Sequence, residues 1–397
     1  MKRLSNLIIL FAIALNATAQ NYDEQAVPRY VLPPLLLTNN GKVVHNKGEW
    51  EKVRRPEILR LFEDNIYGQM PQDFDSIKYV PVGHEMEAMN GKAVLKQMDI
   101  QIFRKLKSIT IHLVLFIPAY SKRATPVFLL INNRSKNNTD PTRTVKTEFW
   151  PAEQVIDSGY AIAAFHVSDL APDNKNMFIN GLLQLYPEQM DADNGMRAIG
   201  AWAWGASRVM DYFETDRSID PRKVAIVGHS RGGKAALWAS AEDPRFAMCF
   251  ASCSGNSGAA LARRRFGETI EKINQTFPYW FCNNYKRFDN KEDDLPVDQH
   301  MLIALSAPRC VYTTNATKDL WADPKGSFLS IKNAEPVFSL YQLKSGLPAE
   351  MPLPDQPVIQ SSIGYHLRSG IHDLTAYDWA RFIQFANYNY RKQNKRE

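Results

Sequence analysis

The spacing of apolar residues changes character about a third of the way along this chain. Residues 49–67 carry a helical period, with Ile58, Leu59, Leu61 and Phe62 on one side and Arg54 and Arg55 on the polar side. Residues 79–118 then alternate, most clearly at 108–117 (SITIHLVLFI), which predicts strands with one buried face. Beyond them the apolar runs become short and nearly continuous: 126–131 (PVFLLI), 160–165 (YAIAAF), 224–227 (VAIV), 246–251 and 310–313. Stretches of helical length separate these runs, notably 195–215 and 233–241, and a last helix is expected at 376–385. A strand that is apolar at every position is buried on both faces. The pattern therefore predicts an α/β chain with a mostly parallel sheet between two layers of helices, and the early alternating strands as its antiparallel edge. Residues 20–397 are expected to form one domain, of which 20–110 supply the N-terminal helix and the edge strands. The most polar stretch, 286–296 (KRFDNKEDDLP), reads as a surface loop.

Residues 1–19 stand apart from this pattern. Lys2 and Arg3 precede nine apolar residues, 7–15 (LIILFAIAL), and Ala17-Thr18-Ala19 follows. These are the charged, apolar and small-residue blocks of a secretory signal, so cleavage after Ala19 and a secreted or periplasmic protein are expected. No later run approaches the roughly 20 apolar residues of a membrane span.

Composition narrows the classes. Hydrophobic residues at 45% and charged residues at 23% are ordinary globular values, which excludes disordered and fibrous chains. The net charge of +6 is spread thinly, with only 391–396 (RKQNKR) clustered, so no nucleic-acid footprint is present. Aromatics at 11%, with eight Trp, suit either a carbohydrate-handling surface or a large core. The four cysteines, Cys249, Cys253, Cys282 and Cys310, are too few for a disulfide scaffold. Cys249 and Cys253 fall on one strand, about 13 Å apart, beyond the roughly 7 Å reach of a bridge. Pairing of either with Cys282 or Cys310 stays open, as do four buried free thiols.

Candidate chemistry begins at 223–234 (KVAIVGHSRGGK). Gly228-His229-Ser230-Arg231-Gly232 is a G-x-S-x-G directly after the buried strand and directly before a helix-forming run, AALWASAE. A strand-to-helix turn this tight strains the serine backbone and needs glycine on either side. It exposes a hydroxyl at a helix N-terminus, where a developing negative charge is stabilised. Ser230 is thus the candidate nucleophile.

A serine hydroxyl needs a base, and the base needs an acid to orient it; in this turn's usual setting they follow in the order Ser, Asp or Glu, His. Downstream histidines are His300, His366 and His372. His300 precedes an apolar run and reads as packing or capping. His372 lies in a glycine-containing loop, Arg368-Ser369-Gly370-Ile371-His372-Asp373, and is the preferred base; His366, on an expected strand, is its rival. The strand at 310–313 leads to Asp319 and Asp323. Asp319 is preferred as the acid because it is closer to the strand end, whereas Asp323 before Pro324 suits a turn or cap.

The run GHSRGGKAALW resembles the signature of glucuronoyl esterases, carbohydrate esterase family 15. The resemblance continues through AIGAWAWG (198–205), SGNSGAALARR (254–264), FGET (266–269), DQHMLIA (298–304), DLWADPKG (319–326) and GYHLRSGIHDL (364–374), and 54–59 (RRPEIL) is similar to its bacterial branch. It implies an α/β-hydrolase fold and a serine esterase that cleaves esters of (4-O-methyl)glucuronic acid on glucuronoxylan, as in lignin–carbohydrate linkages. It also implies Ser230 as nucleophile, His372 as base, and Arg231 as oxyanion stabiliser. Lys234 would bind sugar hydroxyls, and Glu268 and Trp321 would hold the uronate ring. A monomer acting without metal or other cofactor is expected. Arg231 and Lys234 would supply positive charge where oxyanion and carboxylate form.

Two positions depart from the family pattern. Many members carry the triad acid on the strand after the nucleophile helix, where this chain has Cys253; the other position used is filled by Asp319. Gly232 replaces a bulkier residue and is expected to loosen the turn. Two alternatives accompany this reading: a carboxylesterase of other specificity, such as one for acetylated xylan, and a non-catalytic glycan-binding relative. There is no H-E-x-x-H, no H-x-H, no P-loop and no dinucleotide fingerprint, so metal-dependent hydrolysis and nucleotide cofactors are without sequence support.

Overall fold

The computed structural model describes residues 20–393, so the expected leader and its cleavage point after Ala19 lie outside the described residues. Ten strands form one sheet: β1 (Ser76–Pro81), β2 (Met86–Ala88), β3 (Ala93–Arg104), β4 (Lys107–Pro118), β5 (Thr125–Asn132), β6 (Ala161–His166), β7 (Ile219–His229), β8 (Met248–Ser252), β9 (Cys310–Ala316) and β10 (Ile363–Arg368). Their spatial order is β1-β3-β4-β6-β5-β7-β8-β9-β10, with β2 beside β3. β5 to β10 pair in parallel, while β1 to β4 make an antiparallel edge that joins them through β4 and β6. The β3–β4 hairpin closes through Lys105 and Leu106, both at positive φ (46° and 65°), the geometry whose twist matches paired strands.

Alternate residues of each parallel strand enter different cores. Val127, Leu129 and Ile131 of β5, with Val224 and Ile226 of β7, face one helical layer. Phe128 and Leu130, with Ala225 and Val227, face the other. The first layer holds α1 (Arg55–Phe62), α2 (Ala198–Phe213) and α3 (Arg231–Glu242). The second holds α4 (Ala376–Gln393), whose Phe382 and Phe385 pack on β8 and β9 through Phe250 and Tyr312, and whose Trp379 packs on Phe128 of β5.

Three expectations need correction or completion. Arg54 and Arg55 do not face solvent. Arg54 donates to Pro34 O and Leu35 O at 3.0 and 3.2 Å, and Arg55 to Ala241 O and Leu305 O at 2.6 and 3.1 Å. Carbonyls at helix ends and in loops lack backbone partners, and a guanidinium satisfies several at once. The tryptophans serve the core: Trp50, Trp150, Trp202, Trp204, Trp238 and Trp379 are fully buried, and Trp321 is half-exposed. All four cysteines are free and buried. Among the described residues, no helix is long and apolar enough to cross a membrane.

The pairing register brings the strand ends level. Gly228 pairs with Ile131, His229 with Ser252, Ser252 with Thr314, and Thr314 with His366. The loops after β5, β7, β8, β9 and β10 therefore open side by side at the carboxyl edge of the sheet, where parallel α/β sheets bind ligands.

Candidate active site

β7 passes into α3 through a single residue. Ser230 has φ 56° and ψ −128°, a sparsely populated conformation for a residue with a side chain. Its N–H donates to Ser252 O at 2.8 Å, and its carbonyl accepts from Gly233 N at 2.8 Å, so strand and helix both hold the strain in place. The glycines are required by close approach. A Cβ on Gly228 would collide with the carbonyl oxygen of Gly232, and one on Gly232 would meet Asn133 Oδ1 at 2.9 Å and Ile131 O at 3.1 Å. Gly232 therefore sits in a filled turn, not the loosened one expected. Ser230 itself is half-exposed.

His372 leaves the loop between β10 and α4, and its Nδ1 lies 2.6 Å from Asp319 Oδ2. Asp319 is buried just past the end of β9, while the His372 side chain is 37% exposed. The His372 ring stands 4.6 Å from that of His229, the residue before Ser230. With Nδ1 committed to the carboxylate, Nε2 is left as the acceptor nitrogen. Neither Nε2 nor Ser230 Oγ has a protein partner among the described residues. Burial, then the nearby charges of His372 and Arg134, push His229 well below the usual histidine range, so it stays neutral beside the His372 imidazole.

The rival candidates have other partners. Asp323 pairs with Arg264 Nε at 2.8 Å and accepts from Gly326 N at 2.8 Å, capping the helix Pro324–Asn333. His366 is fully buried between Asp378 Oδ1 at 2.8 Å and Tyr312 Oη at 3.0 Å. His300 lies against Pro33 O. Cys253 follows β8 in a left-handed conformation, φ 47°, close to both Asp319 and His372. Burial, followed by the negative charges of Asp319 and Asp378, pushes its thiol well above the usual cysteine value. It is a neutral neighbour and carries no charge that could orient the His372 ring.

Arg231 opens α3, and its Nε lies 2.6 Å from Asp173 Oδ2. Its guanidinium carbon stands 5.7 Å from the centre of the Trp280 ring. Neither Nη group has a protein hydrogen bond among the described residues, so both remain available to a ligand. Asp173 is fixed in turn: Oδ1 accepts from Tyr279 Oη at 2.8 Å and from Trp280 Nε1 at 2.9 Å. Sequence reasoning missed Asp173, Tyr279 and Trp280. The aromatic cluster at 277–281 (FPYWF) was a visible signal; Asp173 had none. It also missed Arg134, which follows β5, pairs with Asp373 Oδ1 at 2.7 Å and lies 4.7 Å from the centre of the Phe149 ring.

Lys234, which the resemblance assigns to sugar hydroxyls, is deeply buried. It is 2% exposed and donates to Ser254 O at 2.8 Å, Asn256 O and Glu268 Oε2 at 2.7 Å, using all three ammonium hydrogens. Burial pulls its pKa down and the Glu268 charge pushes it back up. Glu268 is buried too, and its N–H donates to Trp321 O at 2.9 Å, which ties the half-exposed indole to the Lys234–Glu268 pair.

A strained serine, an Asp-paired imidazole and a free-handed arginine at one sheet edge fit acyl transfer. Comparison with known proteins narrows this. A profile of the family described as "Glucuronyl esterase, fungi" matches residues 100–341. The chain is 40% identical to a protein named "Carbohydrate esterase MZ0003" from an unknown prokaryotic organism, over 93% of this chain and 92% of the relative. The chain belongs to the glucuronoyl esterase family. It is also 30% identical to a protein named 4-O-methyl-glucuronoyl methylesterase from Schizophyllum commune, covering 85% of this chain and 81% of that one. The solved structure of the glucuronoyl esterase from Solibacter usitatus superposes with a TM-score of 0.86 at 35% identity, covering 92% of this chain and 99% of that one. As a glucuronoyl esterase family member the chain is a carboxylic ester hydrolase with the α/β-hydrolase fold.

Proposed function

We propose that this enzyme hydrolyses esters of glucuronic acid, including its 4-O-methyl form on glucuronoxylan, through an acyl-enzyme on Ser230. The natural linkage is the ester between xylan-borne glucuronate and a lignin alcohol. The observation that carries the reading is the Asp319–His372 pair standing against the elbow that presents Ser230.

The chemistry follows from which groups are free. His372 Nε2 takes the Ser230 proton as Oγ attacks the ester carbonyl, while Asp319 stabilises the imidazolium. The carbonyl oxygen becomes an oxyanion, held by the Arg231 Nη groups at the N-terminus of α3. Breakdown of this intermediate returns the proton from Nε2 to the departing alcohol. Water then repeats the sequence on the acyl-enzyme and releases glucuronate. Trp321 and Glu268 hold the sugar. Lys234 contributes where a ring hydroxyl replaces one of its two carbonyl acceptors.

The reading includes export, since polymeric xylan lies outside the cell; removal of residues 1–19 would leave a catalytic domain starting at Gln20. The test is a side-by-side assay on benzyl glucuronate, benzyl galacturonate and p-nitrophenyl acetate. A clear preference in kcat/KM for the glucuronate is expected. Equal turnover of all three would instead make this a general carboxylesterase.

A further inference from the structure

The groups at the ends of β8, β9 and β10 form a set that ester hydrolysis uses only in part. Cys253 has no part in the reaction as derived, yet its Sγ, an Asp319 carboxylate oxygen and a His372 ring nitrogen all lie within 4.8 Å of one another. Thiolate, carboxylate and imidazole are the three donor types that bind zinc-class cations. We propose that Cys253, Asp319 and His372 form a binding site for a thiophilic divalent cation, with Zn2+ as its type, and that the bound ion switches the esterase off. The inhibitory half rests on the catalytic reading above; the binding half does not.

Geometry favours the site. Zinc–ligand distances of about 2.0–2.3 Å put tetrahedral ligands roughly 3.5 Å apart, so donors at most 4.8 Å apart close by about 1 Å while the 2.6 Å Asp319–His372 pair opens by about 1 Å to admit the ion. Two of them are well placed to stay and one to move. Cys253 is pinned, its N–H donating to Thr314 O at 2.7 Å, and Asp319 is buried at the end of β9. His372 is the most exposed of the three and lies two residues from Gly370, so it provides both the entry path and the adjustment. Three protein ligands leave the fourth tetrahedral position to water.

Charge favours it as well. Binding breaks the Cys253 S–H bond, forms a metal–sulfur bond and releases one proton to solvent. The resulting thiolate and the Asp319 carboxylate cancel the ion's two positive charges, and the imidazole binds neutral. The cations nearby are already compensated: Arg368 Nε lies 3.1 Å from Asp378, and Arg134 lies 2.7 Å from Asp373. Such an ion takes the Asp319 carboxylate and one ring nitrogen of His372, and the neutral ring keeps its proton on the other nitrogen, so Ser230 loses its proton acceptor. No short-range motif announces the site because its ligands come from three separate loops.

Two measurements on the full-length protein test this. Zn2+ added alone should inhibit turnover of benzyl glucuronate, and a chelator should restore it. Cys253→Ala should raise the inhibitory concentration by about tenfold or more, the usual consequence of losing one element of a metal site, with each protein compared with its own metal-free rate. The second measurement needs no turnover. Cd2+ titrated into Ser230→Ala should produce the ultraviolet sulfur-to-metal charge-transfer band. That band should vanish when Cys253→Ala is added and require more Cd2+ when His372→Ala is added. Equal Zn2+ inhibition of the wild type and Cys253→Ala overturns the proposal, as does a Cd2+ band that is absent or survives loss of Cys253. If Ser230→Ala still turns over substrate, the catalytic reading fails while the Cd2+ result stands.

Discussion

Asp319 and His372 meet through a 2.6 Å hydrogen bond although 53 residues separate them in the chain. Strands β9 and β10 run parallel and in register, so the loops that follow them open beside each other and bring the carboxylate to the imidazole. Asp319→Asn keeps the shape of the side chain but offers an amide to Nδ1, which favours the wrong tautomer. By the precedent of a serine-protease triad this costs about 10⁴ in kcat. Cys253→Ser should cost far less, and Asp323→Asn should lower Tm with little effect on kcat, because it removes the buried one of the two carboxylates on Arg264 and leaves the more exposed Glu24. Steady-state kinetics and thermal melts on the three variants check this ordering. A larger kcat loss in Cys253→Ser than in Asp319→Asn would move the orienting role to residue 253.

The two histidines should separate by what they damage. His372→Ala removes the proton acceptor and should abolish turnover while leaving Tm within a few degrees of wild type. His366→Ala empties a fully buried site and strips partners from Asp378 and Tyr312, an expected loss of about 1–3 kcal/mol in stability. Similar modest losses of activity in both would mean that neither is the base.

Lys234 and Glu268 test recognition of the sugar, provided that stability is held constant. Lys234→Ala alone leaves a buried carboxylate uncompensated and should cost about 3–5 kcal/mol. Activity lost in that variant would therefore say little about the substrate. The informative comparison is the charge-free pair Lys234→Met with Glu268→Gln. It should remain folded and lose kcat/KM on benzyl glucuronate far more than on p-nitrophenyl acetate. A uniform loss on both esters would remove the pair from sugar recognition.

Asp173 is expected to act through Arg231, beside which it is fixed. One of its oxygens is fixed by Tyr279 and Trp280, and the other sits at Arg231 Nε. Asp173→Asn should lower kcat by about tenfold with little change in KM, a fraction of the 10²–10³ expected for losing an oxyanion donor outright. Arg231→Met should show the full loss. A change in KM alone for Asp173→Asn would assign it to substrate binding instead.

The fold and the core of the site were legible for different reasons. Continuous apolar runs marked β5, β7 and β9 because strands covered on both faces tolerate almost no polar residue. Ser230 was legible because its turn restricts the residues on both sides of it. Asp319 and His372 were found through chain order and strand position. Arg54 and Arg55 were misread because helical periodicity registers charge and cannot show which carbonyls a guanidinium caps. The depth of Lys234 was hidden for the same reason, since its acceptors Ser254, Asn256 and Glu268 come from loops 20 to 34 residues away. Asp173 left no trace, because one acidic residue in a polar loop looks like any other.

The central claim is that Ser230 becomes acylated during hydrolysis of a glucuronate ester. It is tested most directly by turnover of benzyl glucuronate by wild type and Ser230→Ala at equal concentration, with circular dichroism showing that both are folded. The account predicts that the variant falls to the background rate. A folded Ser230→Ala that retains wild-type turnover would contradict it.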